Sequence, residues 1–171
     1  AGIGALWIRR GIEIDPLLEG GSQERGRRPG SPDVLGAVGF GAACEALPER
    51  LAAQPRLGAL QVRCDAELER LGAARNAGMS ERVGTVCNAS LAGWRSEALV
   101  AALDLEGVCS ASGAACSSGL QEPSPVLRAM HPDEPWRAGA ALRFSFGPET
   151  TEAEVDQALQ ALQRVCARKS R

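Results

Sequence analysis

Across 171 residues the sequence holds one lysine, Lys169, and one histidine, His131. Chemistry that needs a lysine amine therefore has a single candidate, near the last residue. One histidine also leaves a zinc site of the usual Cys/His spacing short of ligands. No apolar run approaches the ~20 residues of a membrane span, and residues 1–10 lack the apolar core and cleavage site of a secretory signal. A soluble, cytoplasmic protein is the expectation. Blocks of like charge are absent from a chain of net charge -2, which excludes a nucleic-acid stripe or a polybasic membrane patch. Proteins and small molecules are the expected partners.

The six cysteines, at 44, 64, 87, 109, 116 and 166, include no C-x-x-C pair. A chain long enough to bury an ordinary core needs no disulfide staples, so reduced thiols are expected. Gly4–Arg9 reads as a short buried strand, and the Gly- and Arg-rich stretch 20–31 as a loop. Ser31 followed by Pro32 reads as a cap and first-turn proline, opening a helix with Val34, Leu35, Val38 and Ala42. The stripe Leu57, Leu60, Cys64, Leu68 and Leu71 predicts a helix after Pro55 that stops at Gly72. A strand over Val83–Leu91, a short helix capped by Ser96 and a strand over Gly107–Ser110 follow.

Residues 111–122 are small and polar, which predicts a mobile loop. Next, Leu142, Phe144 and Phe146 alternate with Arg143 and Ser145, as on a strand with one apolar face. Thr151-Glu-Ala-Glu154 reads as a capping box before a helix with Val155, Leu159, Leu162 and Val165 on one face. Alternating strands and helices from Val83 onward give an α/β or α+β class with a small sheet.

Among the cysteines, Cys116 alone sits in a clearly loop-like setting, where a nucleophilic thiol could reach another molecule. Cys44, Cys64 and Cys166 fall on predicted helices, where packing is the better reading. His131 reads as a surface turn residue, and Trp94 and Trp136 as loop residues able to meet partners. An iron-sulfur or metal site built on Cys87, Cys109 and Cys116 is a weaker alternative, because those spacings fit no common cluster motif.

Three ordered segments carry a family resemblance. They are Gly20-Gly-Ser-Gln-Glu-Arg25-Gly-Arg-Arg-Pro-Gly-Ser31, then Ser112-Gly-Ala-Ala-Cys116-Ser-Ser with Glu122-Pro-Ser124 after it, then Leu142-Arg143-Phe-Ser-Phe-Gly147. Together with Gly2-Ile-Gly-Ala-Leu-Trp7, they resemble the carboxy-terminal part of the cysteine desulfurases, fold-type I pyridoxal-phosphate enzymes of the class-V aminotransferase kind. The fold so implied is a small carboxy-terminal α/β domain with a preceding strand and helices from the large-domain side. Residues 1–31 would end the large domain and form an interface loop, 32–75 would be bridging helices, and 76–171 would form the small domain.

The resemblance also implies roles. Cys116 would take sulfur from L-cysteine as a persulfide and pass it to acceptor proteins for iron-sulfur cluster or thio-cofactor synthesis. Arg143 would grip the substrate α-carboxylate, and Ser31 would reach the cofactor phosphate of the partner subunit in a homodimer. Glu24 and Arg25 would organise the loop and interface. Pyridoxal 5'-phosphate would be the cofactor, yet in the family its lysine precedes the segment that matches Gly2–Trp7. Lys169 cannot replace it, so the chain is expected to be a fragment, favoured by its abrupt start at Ala1, or one half of a split enzyme with a complementing chain. A non-catalytic sulfur-carrier or protein-binding remnant is the alternative.

Overall fold

The computed structural model describes residues 2–78, 82–112 and 123–169. Residues 1–51 and 52–171 form two compact units. In the second, helix α3 (Gln54–Arg70) buries Leu57, Leu60, Cys64 and Leu68 on one face. Pro55 in its first turn and Gly72, at φ +82° just past its end, set its limits. Such a stripe needs a second layer to cover it.

A three-stranded antiparallel sheet supplies that layer: β1 (Ala73–Arg75), β2 (Val86–Leu91) and β3 (Ala141–Ser145), in the order β1-β2-β3. Gly84 lets the chain entering β2 approach α3, since a Cβ there would lie 2.7 Å from the backbone nitrogen of Gly58. Strand alternation sends Cys87, Ala89, Leu91, Leu142 and Phe144 into the core. Asn88 and Arg143, paired in register, take the other face.

Helices α4 (Ser96–Asp104) and α6 (Glu152–Lys169) complete the helical side, adding Leu99, Leu103, Val155, Leu159, Leu162 and Val165 to the same core. Burying a leucine such as Leu142 or Leu162 completely stabilises the fold by about 1.5–3 kcal/mol. The capping box forms as the sequence predicts. Thr151 Oγ1 accepts from Glu154 N at 3.3 Å, and Glu154 Oε2 accepts from Thr151 N at 2.8 Å. The architecture is α+β, with α3, α4 and α6 on one face of a small antiparallel sheet.

The first unit contains the Gly20–Ser31 loop and helix α1 (Val34–Glu45), with the short α2 (Leu47–Ala52) crossing its boundary. Here several expectations change. Gly4–Arg9 pairs with no strand among the described residues, and Leu6 and Trp7 are exposed rather than buried. The cap of α1 is Asp33, whose carboxylate accepts from Gly36 N at 2.9 Å, so Ser31 and Pro32 lie ahead of the helix. Cys44, expected to pack, is exposed on α1, as are Val34, Leu35 and Val38.

In the second unit the strand expected at Val83 starts at Val86. Ser96 is the first residue of α4 rather than its cap, which falls on Arg95. No strand forms over Gly107–Ser110: Val108 is buried in the core, and a single bridge follows at Ala111. Trp94 is partly buried against that core.

Candidate functional site

Arg143 stands at the centre of β3, and its backbone faces two neighbours. On one side it lies opposite Asn88 of β2. On the other it exchanges both backbone hydrogen bonds with Ala111, Arg143 N donating at 2.8 Å and Ala111 N donating back at 3.1 Å. Because its own N–H and C=O are spent on Ala111, the pairing with Asn88 is of the non-hydrogen-bonded kind, whose opposed Cα atoms stand about 4.5 Å apart. Asn88 and Arg143 are thus side by side on the sheet face away from α3 and α6. Arg143 is half-buried there.

Cys116 lies outside the described residues, as does the expected loop from residue 113 through 122. Both flanks of that segment are held by the same region. Ala111 bonds to Arg143 as above, and Ser124 N donates to Ala138 O at 3.3 Å, three residues before β3 begins. Ser124 also caps helix α5 (Pro125–Met130), its Oγ accepting from Leu127 N at 3.3 Å. Leu127, Ala138 and Ala141 pack together beneath this flank.

Beside Arg143 runs a polar network that sequence reasoning missed. Asn76, 2% exposed, donates through Nδ2 to Asn88 Oδ1 at 2.6 Å and to Ser90 Oγ at 2.9 Å. Ser90 Oγ reaches the Arg137 carbonyl oxygen at 2.8 Å. His131, read from sequence as a surface turn, is instead half-buried, with Nε2 2.9 Å from the Asn76 carbonyl oxygen. The available signal was Asn88 and Ser90 two apart on a strand, which places both on the face of Arg143.

The cysteines divide clearly. Cys64 and Cys87 are buried, Cys166 is half-buried, and Cys44 and Cys109 are exposed. Hydrogen bonding with the Cys64 thiol, and then burial, push the Cys87 thiol well above its ordinary range. Such a thiol is inert.

In the first unit the Gly20–Ser31 loop is closed by its own residues. Gln23 Oε1 accepts from Gly30 N at 3.2 Å, and a Cβ on Gly20 would meet Pro29 Cβ at 2.8 Å. Glu24 and Arg25 carry the bend in left-handed backbone, at φ 50° and 59°. Ser31 ends this loop and is exposed.

The class-V aminotransferase model matches residues 1–158. The chain belongs to that family. This class-V aminotransferase chain is 41% identical over 171 residues to a cysteine desulfurase of Gluconacetobacter diazotrophicus, covering 98% of the chain and 42% of that protein. It is 40% identical over 169 residues to one of Bradyrhizobium diazoefficiens, covering 98% and 43%. Among solved structures, a NifS-like protein superposes with a TM-score of 0.74 at 30% identity, over 94% of this chain and 41% of the other. A NifS-like protein from Rickettsia africae shares the fold, with a TM-score of 0.67 at 19% identity over 90% and 40%. The chain therefore spans about two-fifths of the length of the curated relatives it matches.

Class-V aminotransferases work in general with pyridoxal phosphate, which needs a lysine amine at the reacting centre. The residues present do not fit that requirement. The one lysine closes α6, whose apolar stripe packs on the sheet face opposite Arg143. The one histidine is tied to Asn76.

Proposed function

We propose that this chain is the sulfur-accepting, carboxylate-gripping part of a cysteine desulfurase, with L-cysteine as sulfur donor and Cys116 as acceptor. The observation that carries this reading is the ladder between Arg143 and Ala111. Ala111 is five residues from Cys116, and five residues span at most about 18 Å. A carboxylate held by Arg143 thus lies within reach of a thiol tethered to the same strand.

Each residue has a limited task. Arg143 holds the α-carboxylate, for which a planar guanidinium offers two parallel donors. In the complete enzyme Cys116, as thiolate, would form an S–S bond to the sulfur of L-cysteine while the bond from that sulfur to Cβ breaks and alanine leaves, the cofactor supplying the sink for the electron pair. The persulfide then passes its outer sulfur to an acceptor protein for iron-sulfur cluster or thio-cofactor synthesis. Ser31, relieved of capping by Asp33, offers a hydroxyl donor to the cofactor phosphate held by the partner subunit of a homodimer. We assign residues 1–31 to the end of a large domain and its interface loop, 32–75 to bridging helices, and 76–171 to the small domain.

Pyridoxal phosphate belongs to the complete enzyme, and no step through it is assigned to these residues. Alone, the chain would accept sulfur only from a persulfide donor R–S–SH, with R–S⁻ as the leaving group. The test uses a full-length polypeptide of the relatives' size that contains this sequence. It should release alanine from L-cysteine, and Cys116→Ser should stop that release. Release that persists in Cys116→Ser would remove Cys116 from the reaction.

A further inference from the structure

The amide of Asn88 can face either way in principle, and the network beside it fixes which. The Arg137 carbonyl can only accept, so the single hydroxyl proton of Ser90 goes to it at 2.8 Å rather than to Asn76 Oδ1 at 3.2 Å. Ser90 Oγ must then accept, and its donor at 2.9 Å is the Asn76 NH₂ group. The same NH₂ group points at Asn88 from 2.6 Å, so Asn88 presents its oxygen inward. Its own NH₂ group is left facing outward, beside Arg143. Among the described residues it has no acceptor.

We propose that Asn88 is a second carboxylate-binding residue, its Nδ2 donating to the anion that Arg143 grips and its orientation set by the Arg137–Ser90–Asn76 relay. Two donor groups, one charged and one neutral, stand on adjacent strands in a non-hydrogen-bonded pair, with Cβ atoms about 4.5–5.5 Å apart. That separation suits a carboxylate whose two oxygens are shared between them. Asn76, nearly fully buried, acts as a positioning residue and touches no substrate. The inference rests on Arg143 being the carboxylate grip and adds a partner to it.

The test is a titration of the full 171-residue chain, ¹⁵N-labelled, with acetate replacing chloride at constant ionic strength. The readouts are the side-chain NH₂ signals of Asn88 and the guanidinium signals of Arg143. Both should shift along one saturation curve. Asn88→Asp keeps the shape and the inward oxygen that Asn76 needs, while it turns the outward donor into an acceptor. It should weaken acetate binding at least tenfold and leave the backbone amide spectrum of β1 and β2 in place. Asn76→Leu should weaken it by a smaller factor, because the Asn88 amide can then turn. Asn88→Asp binding acetate like the unsubstituted chain, while Arg143→Gln does not, would overturn the role of Asn88 and leave the Arg143 reading standing. Unchanged binding in Arg143→Gln, or no acetate-dependent shift in the unsubstituted chain, would overturn both.

Discussion

Arg143 and Ala111 exchange both of their backbone hydrogen bonds, at 2.8 and 3.1 Å, so the strand that bears the arginine also holds the stem leading to Cys116. Removing the Ala111 N–H with Ala111→Pro leaves the Arg143 carbonyl without its partner and opens the bridge. Amide exchange at Arg143 should then quicken at least tenfold, while that of Leu103 in α4 stays as it was. Exchange at Arg143 that does not change would mean the bridge holds nothing.

On the proposed role, Arg143→Ala in a full-length enzyme removes a charged hydrogen-bonded contact to the substrate carboxylate worth roughly 1.5–3 kcal/mol. Apparent affinity for L-cysteine should fall by about one to two decades. Steady-state kinetics with L-cysteine over a wide concentration range measures this. An unchanged KM would make Arg143 structural only.

The helical side of the second unit was readable in the sequence because its period carries the information. Leu57, Leu60, Cys64 and Leu68, and likewise Val155, Leu159, Leu162 and Val165, recur at helical spacing and are all buried. The alternation at Leu142–Phe146 gave β3 and the face of Arg143 in the same way. What periodicity could not tell was which polar side chain would cap a helix. Ser31 and Asp33 both suit that role, and distance to Gly36 N selects Asp33. Nor could it tell that residues 4–9 would pair with no strand among the described residues, since pairing is a long-range property. Asn76, Asn88 and His131 lie far apart in sequence, and their network exists only once β1, β2 and α5 meet.

Acid should loosen α6 before the rest of the second unit. Hydrogen bonding to Arg70 holds Glu67 below the usual carboxylate range, and Arg164 and the Thr151 amide do the same for Glu106 and Glu154. Glu67 tethers α6 through Gln163 and Glu106 does so through Arg164 and Arg168, while Glu154 caps the first turn of α6 itself. A lowered folded-state pKa contributes stability that is present above the unfolded value, about 4.3, and is lost as pH falls through the folded one. Chemical denaturation at a series of pH values should show stability declining below about pH 4.3. Glu106→Gln should flatten that decline. An equal slope in the variant would exclude Glu106 from it.

Native alkylation should sort the thiols by access. Cys44 and Cys109 should label quickly, whereas Cys64 and Cys87 should stay unlabelled until the fold opens. Cys87 is the more resistant of these, with its pKa pushed up. Peptide mapping after timed alkylation gives the order. Early labelling of Cys64 or Cys87 would contradict the packing of α3 on β2.

The measurement closest to the central claim is where sulfur lands. A sulfane-sulfur donor of the type R–S–SH is offered to the reduced 171-residue chain, so that the thiolate takes the outer sulfur and R–S⁻ leaves. Mass mapping of the alkylated persulfide should place it at Cys116, ahead of the exposed Cys44 and Cys109. It should vanish in Cys116→Ser, since serine forms no alkoxide at neutral pH and cannot carry the sulfur onward. Persulfide spread evenly over the exposed cysteines, or unchanged in total by Cys116→Ser, would contradict the account.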